Sequence, residues 1–188
     1  MLLRSPTGTA YLPDGGVDQP ESRQPRPAAG SLILFLAVFA LLQWGWQSAR
    51  GTWVERLVID QATVVPAAML VRTLTPEIAA RANGSSIKAS GGGLNILNGC
   101  EGTEVMFLLI AAFIATRMPW RSRLLALGAG LGWVFLLNQA RILTLFYTFR
   151  ADRSWFDILH TAVLPALLVA LTAGYFYVIL HALRRRVA

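Results

Sequence analysis

Leu124-Leu-Ala-Leu-Gly-Ala-Gly-Leu-Gly-Trp-Val-Phe-Leu-Leu-Asn-Gln-Ala-Arg141-Ile-Leu-Thr-Leu-Phe-Tyr-Thr-Phe149 holds one charge, Arg141, in a run that is otherwise apolar or small. At about 1.5 Å per residue such a run crosses a hydrocarbon core about 30 Å thick. It cannot be the surface helix of a soluble domain, which would carry charge along one face. The stretch therefore reads as a membrane span, and the rest of the chain is read outward from it.

Two further runs have the same character. Residues 103–116 precede it across the short basic loop Arg117-Met-Pro-Trp-Arg-Ser-Arg123, and residues 156–181 follow it across Arg150-Ala-Asp-Arg-Ser154. An uncharged Leu/Phe/Trp run covers 31–49. No small-x-small cleavage site follows it, and Trp44 and Trp46 look like interfacial anchors, so it reads as a span and not as a signal peptide. Residues 57–74 are apolar but interrupted by Asp60, Pro66 and Arg72, the pattern of an amphipathic or re-entrant helix. Residues 85–89 and 94–97 flank Ser90-Gly-Gly-Gly93 and predict a short β-hairpin that leads directly to Asn98-Gly99-Cys100. The expected fold is an all-α membrane protein of about four transmembrane helices, with the amphipathic helix and the hairpin on the outer side.

The composition agrees. The chain is 55% hydrophobic and 14% charged, where soluble domains carry about a quarter charged residues. Its net charge of +7 raises the question of nucleic acid, but six of the seventeen basic residues fall in two clusters beside apolar runs: Arg117, Arg121 and Arg123, then Arg184, Arg185 and Arg186. Such flanking charge orients helices in a bilayer, the expected partner, and does not form a nucleic-acid face. Residues 1–30 hold five of the nine prolines and four glycines, a composition that predicts a disordered tail. The membrane-embedded domain is then 31–183, followed by a basic tail at 184–188. With four spans, the side holding both termini and the 117–123 loop has nine basic and three acidic residues, against seven of each on the other side once Arg141 is set apart. The positive-inside rule places both termini in the cytoplasm.

Counting residues gives depth. Cys100 lies 17 residues from Arg117 and Arg141 lies 18 from Arg123, roughly 26 Å at ~1.5 Å per residue; His160 lies 21 from His181, roughly 32 Å. All three reach the outer rim of the membrane. Taken alone, the cysteine reads as an apolar filler, Arg141 as a snorkelling cation and His160 as an interfacial residue. Their shared depth favours a different reading. Cys100 follows a turn and precedes a helix, whose dipole favours a thiolate, although Glu101 and Glu104 oppose it. Asn138, Arg141, Thr144 and Thr148 share one helix face. Asp157 lies one turn before His160, where it would orient the imidazole. A thiol, an imidazole and a guanidinium at one depth suit acyl transfer: nucleophile, proton carrier and oxyanion partner. One cysteine and two histidines at opposite ends of one apolar run give no zinc site, and the Gly91–Gly93 run lacks the sequence of a phosphate loop, so neither metal nor cofactor is expected.

Asn98-Gly-Cys100-Glu-Gly102 at the head of one span, Asn138-Gln-Ala-Arg141 in the next and His160 in the last resemble the exosortase/archaeosortase family, in a compact four-span form over about residues 30–183. The resemblance implies a cysteine protease/transpeptidase of the cytoplasmic membrane with its active site facing outward. It also implies exported substrates bearing a C-terminal sorting signal: a short motif, a transmembrane helix and a basic cluster. By it Cys100 is the nucleophile, Arg141 the oxyanion-stabilising residue and His160 the general acid/base. Glu101 departs from the small residue that many relatives carry after the cysteine. The alternative is a non-catalytic scaffold or accessory subunit of an export or polysaccharide system; a small transporter, with Arg141 binding an anionic solute, is a weaker third reading.

Overall fold

The structure is a computed structural model and describes residues 28–96 and 99–185; the predicted tail at 1–27, Leu97, Asn98 and residues 186–188 lie outside the described residues. Five helical rods and one small sheet make up the fold. Helix α1 spans Ala28–Ala49, α2 Trp53–Leu74, α3 Thr103–Ala115, α4 Trp120–Ala151 and α5 Arg153–Arg185. Strands β1 (Arg81–Asn83), β2 (Ser86–Lys88) and β3 (Leu94–Asn95) form an antiparallel sheet in the order β1-β2-β3. Helix α4 is the centre, touched by α2, α3 and α5, while α1 packs on α3. Most of α1 is open to the surroundings, with Leu32, Ile33, Leu36, Leu41 and Trp44 exposed. An uncharged helix that exposes such side chains is matched to lipid, not water.

Among the described residues, four helices are long and apolar enough to cross a membrane: α1, α2, α4 and α5. The count is the expected one, but the membership differs. Helix α3, expected as a span over 103–116, has 13 residues, whereas the interrupted stretch at 57–74 lies within a continuous 22-residue rod. The proline explains the difference. Pro66 has no N–H and its ring crowds the carbonyl one turn earlier, which normally kinks or ends a helix. Here Leu57–Val64 widens to π-helical turns, with the Val65 N–H donating to the Asp60 carbonyl five residues back, so the chain passes the proline without ending. Helix α5 meets Pro165 in the same way: Leu159–Val163 is π-helical and the Leu164 N–H donates to the Leu159 carbonyl. Helix α2 also leans. Gln139 of α4 donates to the Thr63 carbonyl and Tyr147 bonds Thr75. The twelve residues from 63 to 75 thus climb only the eight from 139 to 147, an oblique crossing.

The expected hairpin is present as β2 and β3, with Ser86 opposite Asn95 and Ile87 opposite Leu94. Strand β1 lies outside the expected hairpin, although Asn83-Gly84, at the turn from β1 into β2, is a hairpin-turn signal and Gly84 adopts φ +56°. The sheet lays Ile87 and Ile96 on Val64, Ala67 and Val71 of α2 and on Ile142 and Phe146 of α4. At the far end of the bundle, Phe113 of α3 meets Phe176 of α5 edge-on at 5.0 Å. There Tyr175 Oη donates to the Ala126 carbonyl at 2.7 Å. Arg123, in the first turn of α4, donates to the carbonyl of Thr116, the residue that caps α3, 2.9 Å away, a cationic C-terminal cap.

Candidate active site

Cys100 stands in the short loop between β3 and α3, three residues before the helix begins. The loop is built around Glu101, which is buried. One carboxylate oxygen accepts the Gly99 N–H at 2.6 Å and the other accepts the Thr103 hydroxyl at 3.2 Å. Glu101 therefore faces inward and ties both flanks of Cys100 together. Asn138 of α4 completes the support, its amide donating to the Cys100 carbonyl at 3.1 Å. Gly102 lets the two approach: it adopts φ +78°, and a β-carbon there would stand 3.0 Å from the Asn138 side chain.

His160 comes from the π-helical segment of α5. Its Nδ1 lies 4.0 Å from the Cys100 sulfur, and its ring stacks on Phe156 with centroids 5.4 Å apart and planes 9° apart. The stack, not Asp157, orients the imidazole: Asp157 is exposed, and no hydrogen bond joins the two side chains. His181 stacks on Tyr177 toward the opposite end of α5 and plays no part here.

Cys100 and His160 border one cavity of about 520 Å³. The sheet forms one wall, through Ile87, Leu94, Asn95 and Ile96. Ile142, Leu145 and Phe149 of α4 and Phe156 of α5 form the other. Lys88, the only lysine of the chain, is the one permanently charged residue on its lining among the described residues. Arg150, at the end of α4, holds the turn beside the cavity by donating to the Ser90 and Gly92 carbonyls at 2.7 and 3.2 Å. Gly93 is obligatory in that turn, since a β-carbon would meet the Ile87 carbonyl oxygen at 2.5 Å.

Arg141 is placed differently. It is buried on α4 and borders a smaller cavity of about 120 Å³ between α4 and α5, lined otherwise by Leu137, Ala140, Thr144 and leucines of α5. It remains within electrostatic reach of His160. Among the described residues its Nε has no hydrogen-bond partner, nor do Asn138 Oδ1 and Gln139 Oε1, so three buried orphan atoms fall within four residues. Each such atom typically costs about 1–3 kcal/mol and calls for an explanation. The polar stripe expected along α4 is inward only in its first half: Asn138 and Arg141 are buried, Thr144 is exposed and Thr148 is half-buried. Gln139, Arg150, Phe156 and Asn95 were not singled out from sequence. Beyond the site, Asp152 between α4 and α5 accepts from the Ser154 N–H and hydroxyl, and these bonds hold its carboxyl below the usual carboxylate range.

A membrane helical bundle that buries a polar cluster beside a cysteine–histidine pair defines a class of intramembrane thiol proteins. Within that class this chain belongs to the transmembrane exosortase family, whose model matches residues 77–177. The matched region takes in the sheet, Cys100, Arg141 and His160; α1 and α2 lie before it. No curated protein matches the chain, and no solved structure does.

Proposed function

We propose that the protein is a cysteine peptidase/transpeptidase of the cytoplasmic membrane. It cleaves exported proteins ahead of a C-terminal anchor made of a short motif, an apolar helix and a basic cluster. The observation that carries this reading is the Cys100 sulfur 4.0 Å from His160 Nδ1 on the wall of a cavity large enough for several peptide residues. Family membership supports it.

In this reading His160 takes the proton of the Cys100 thiol as the sulfur bonds to the scissile carbonyl carbon. The carbonyl π pair moves to oxygen, and the cationic field of Arg141 favours that charge in a region poor in water. The tetrahedral adduct collapses, the C–N bond breaks, and His160 returns its proton to the departing amine, which stays with the membrane anchor. A thioester on Cys100 remains. Water or an amine then attacks it, giving the proton back through His160 to restore the thiol. In this reading the active site faces outward, and the 117–123 loop and the C-terminal arginines face the cytoplasm, the side that the positive-inside rule favours for them.

The test is co-expression with a tagged exported protein that bears the three-part C-terminal signal. Wild-type protein shortens the reporter, and Cys100→Ala leaves it full-length while accumulating normally in the membrane. Equal shortening by both removes the nucleophile from Cys100 and returns the protein to a scaffold role.

A further inference from the structure

The proposal rests on the peptidase reading and concerns how its substrate is held. Strand β3 is one edge of the sheet. Its register decides which main-chain groups face outward. Ile96 N–H donates to the Ser85 carbonyl at 2.8 Å, so Ile96 and, two residues earlier, Leu94 turn their N–H and C=O groups toward β2. Asn95 lies between them, opposite Ser86 in a pair without main-chain hydrogen bonds, so its N–H and C=O point away from the sheet. Asn95 is exposed, and no main-chain bond to it is formed on that side among the described residues. On the other edge the same alternation turns Ala82 of β1 outward, beside α2 and away from the cysteine.

Only the β3 edge borders the cavity of Cys100 and His160. Leu94, Asn95 and Ile96 all line it, together with Ser86, Ile87 and Lys88 of β2, so the cavity lies against β3 and the strand behind it. Asn95 is five residues from Cys100 along the chain. Arg150 fixes the turn before β3, so the edge is held in place and not free to swing.

We propose that the segment of substrate to be cleaved binds as an extended strand on the open edge of β3, exchanging main-chain hydrogen bonds with Asn95. The added strand lies about 4.8 Å from β3, within the cavity, and presents its next carbonyl toward Cys100. Main-chain pairing of this kind gives affinity without regard to sequence; choice among substrates falls to the side chains that enter the apolar wall.

The test exploits the register. Asn95→Pro removes the outward N–H and leaves every bond between β2 and β3, and proline is tolerated on edge strands. Asn95→Ala keeps the N–H and removes only the side-chain bond to Ser86. Reporter shortening is expected to fall about five- to tenfold in Asn95→Pro relative to Asn95→Ala, the loss of about one hydrogen bond. Alkylation of Cys100 by iodoacetamide should stay alike in the two. Equal shortening by both variants overturns the proposal while leaving the peptidase reading intact, because wild type and Cys100→Ala still differ. Amide hydrogen exchange gives a second readout that needs no change at Asn95. In the Cys100→Ala protein, adding the uncut reporter should slow exchange at the Asn95 amide and leave Ala82 unaffected. An unprotected Asn95 amide in the reporter complex also overturns the proposal.

Discussion

The end of the bundle that carries the 117–123 loop is packed mostly by side chains that satisfy one another, with Arg123 Nε its one orphaned buried atom among the described residues, whereas the sheet end gathers three. At the loop end Phe113, Tyr175 and Phe176 interlock, Tyr175 bonds the Ala126 carbonyl, and Gly130 sits so close that a β-carbon would come within 2.7 Å of Leu109 and 2.8 Å of Tyr175. Three orphaned atoms, at Asn138, Gln139 and Arg141, lie toward the other end, along with a buried carboxylate and an open strand edge. Close packing there would be more stable and would leave nothing for a substrate to join. In the proposed reading, the difference separates residues that hold the helices together from residues kept ready for chemistry.

Substitutions at the two ends should part accordingly. The largest effect is expected for His160→Ala, which removes the proton carrier and should slow reporter shortening by about 10²–10⁴-fold with normal membrane accumulation. Arg141→Lys should cost about 10²–10³-fold, because an ammonium does not reproduce the guanidinium's spread charge and fork of donors; wild-type turnover in that variant would mean that Arg141 serves only to fill its cavity. Glu101 comes next. Glu101→Gln keeps an acceptor oxygen for the Gly99 N–H and should retain most activity, while Glu101→Ala frees the loop and should lose more; equal activity in all three would show that the carboxylate does not position Cys100. At the loop end the order reverses. Gly130→Val should lower stability by about 1–3 kcal/mol through overpacking, read as an earlier thermal transition in detergent, with shortening per folded molecule unchanged. Tyr175→Phe, losing one hydrogen bond, should cost about 1 kcal/mol in the same measurement.

Much of this arrangement was legible in the sequence, and the gaps have physical causes. Residue counts from the arginine clusters brought Cys100, Arg141 and His160 to one depth, and the structure sets the thiol and imidazole 4.0 Å apart. Counting along an axis gives height and says nothing of rotation, so it could not reveal that Arg141 faces the neighbouring cavity between α4 and α5. Pro66 read as an interruption because one proline ends a regular α-helix; only the widened turns at Leu57–Val64 let the rod continue. The repeat of that device at Pro165 is instructive, since it falls on the segment that delivers His160. Glu101 looked like a charge opposing a thiolate. Whether a carboxylate faces the sulfur or folds under its own loop depends on contacts to Gly99 and Thr103 that no spacing rule encodes.

The central claim is a covalent step at Cys100, and intercepting the acyl intermediate tests it most directly. With hydroxylamine present while the tagged reporter is shortened, a thioester on Cys100 would be captured, leaving a hydroxamate at the reporter's new C-terminus that mass spectrometry detects. The account predicts the hydroxamate with wild-type protein and neither shortening nor hydroxamate with Cys100→Ala. Hydroxamate formed equally by the Cys100→Ala protein would contradict it.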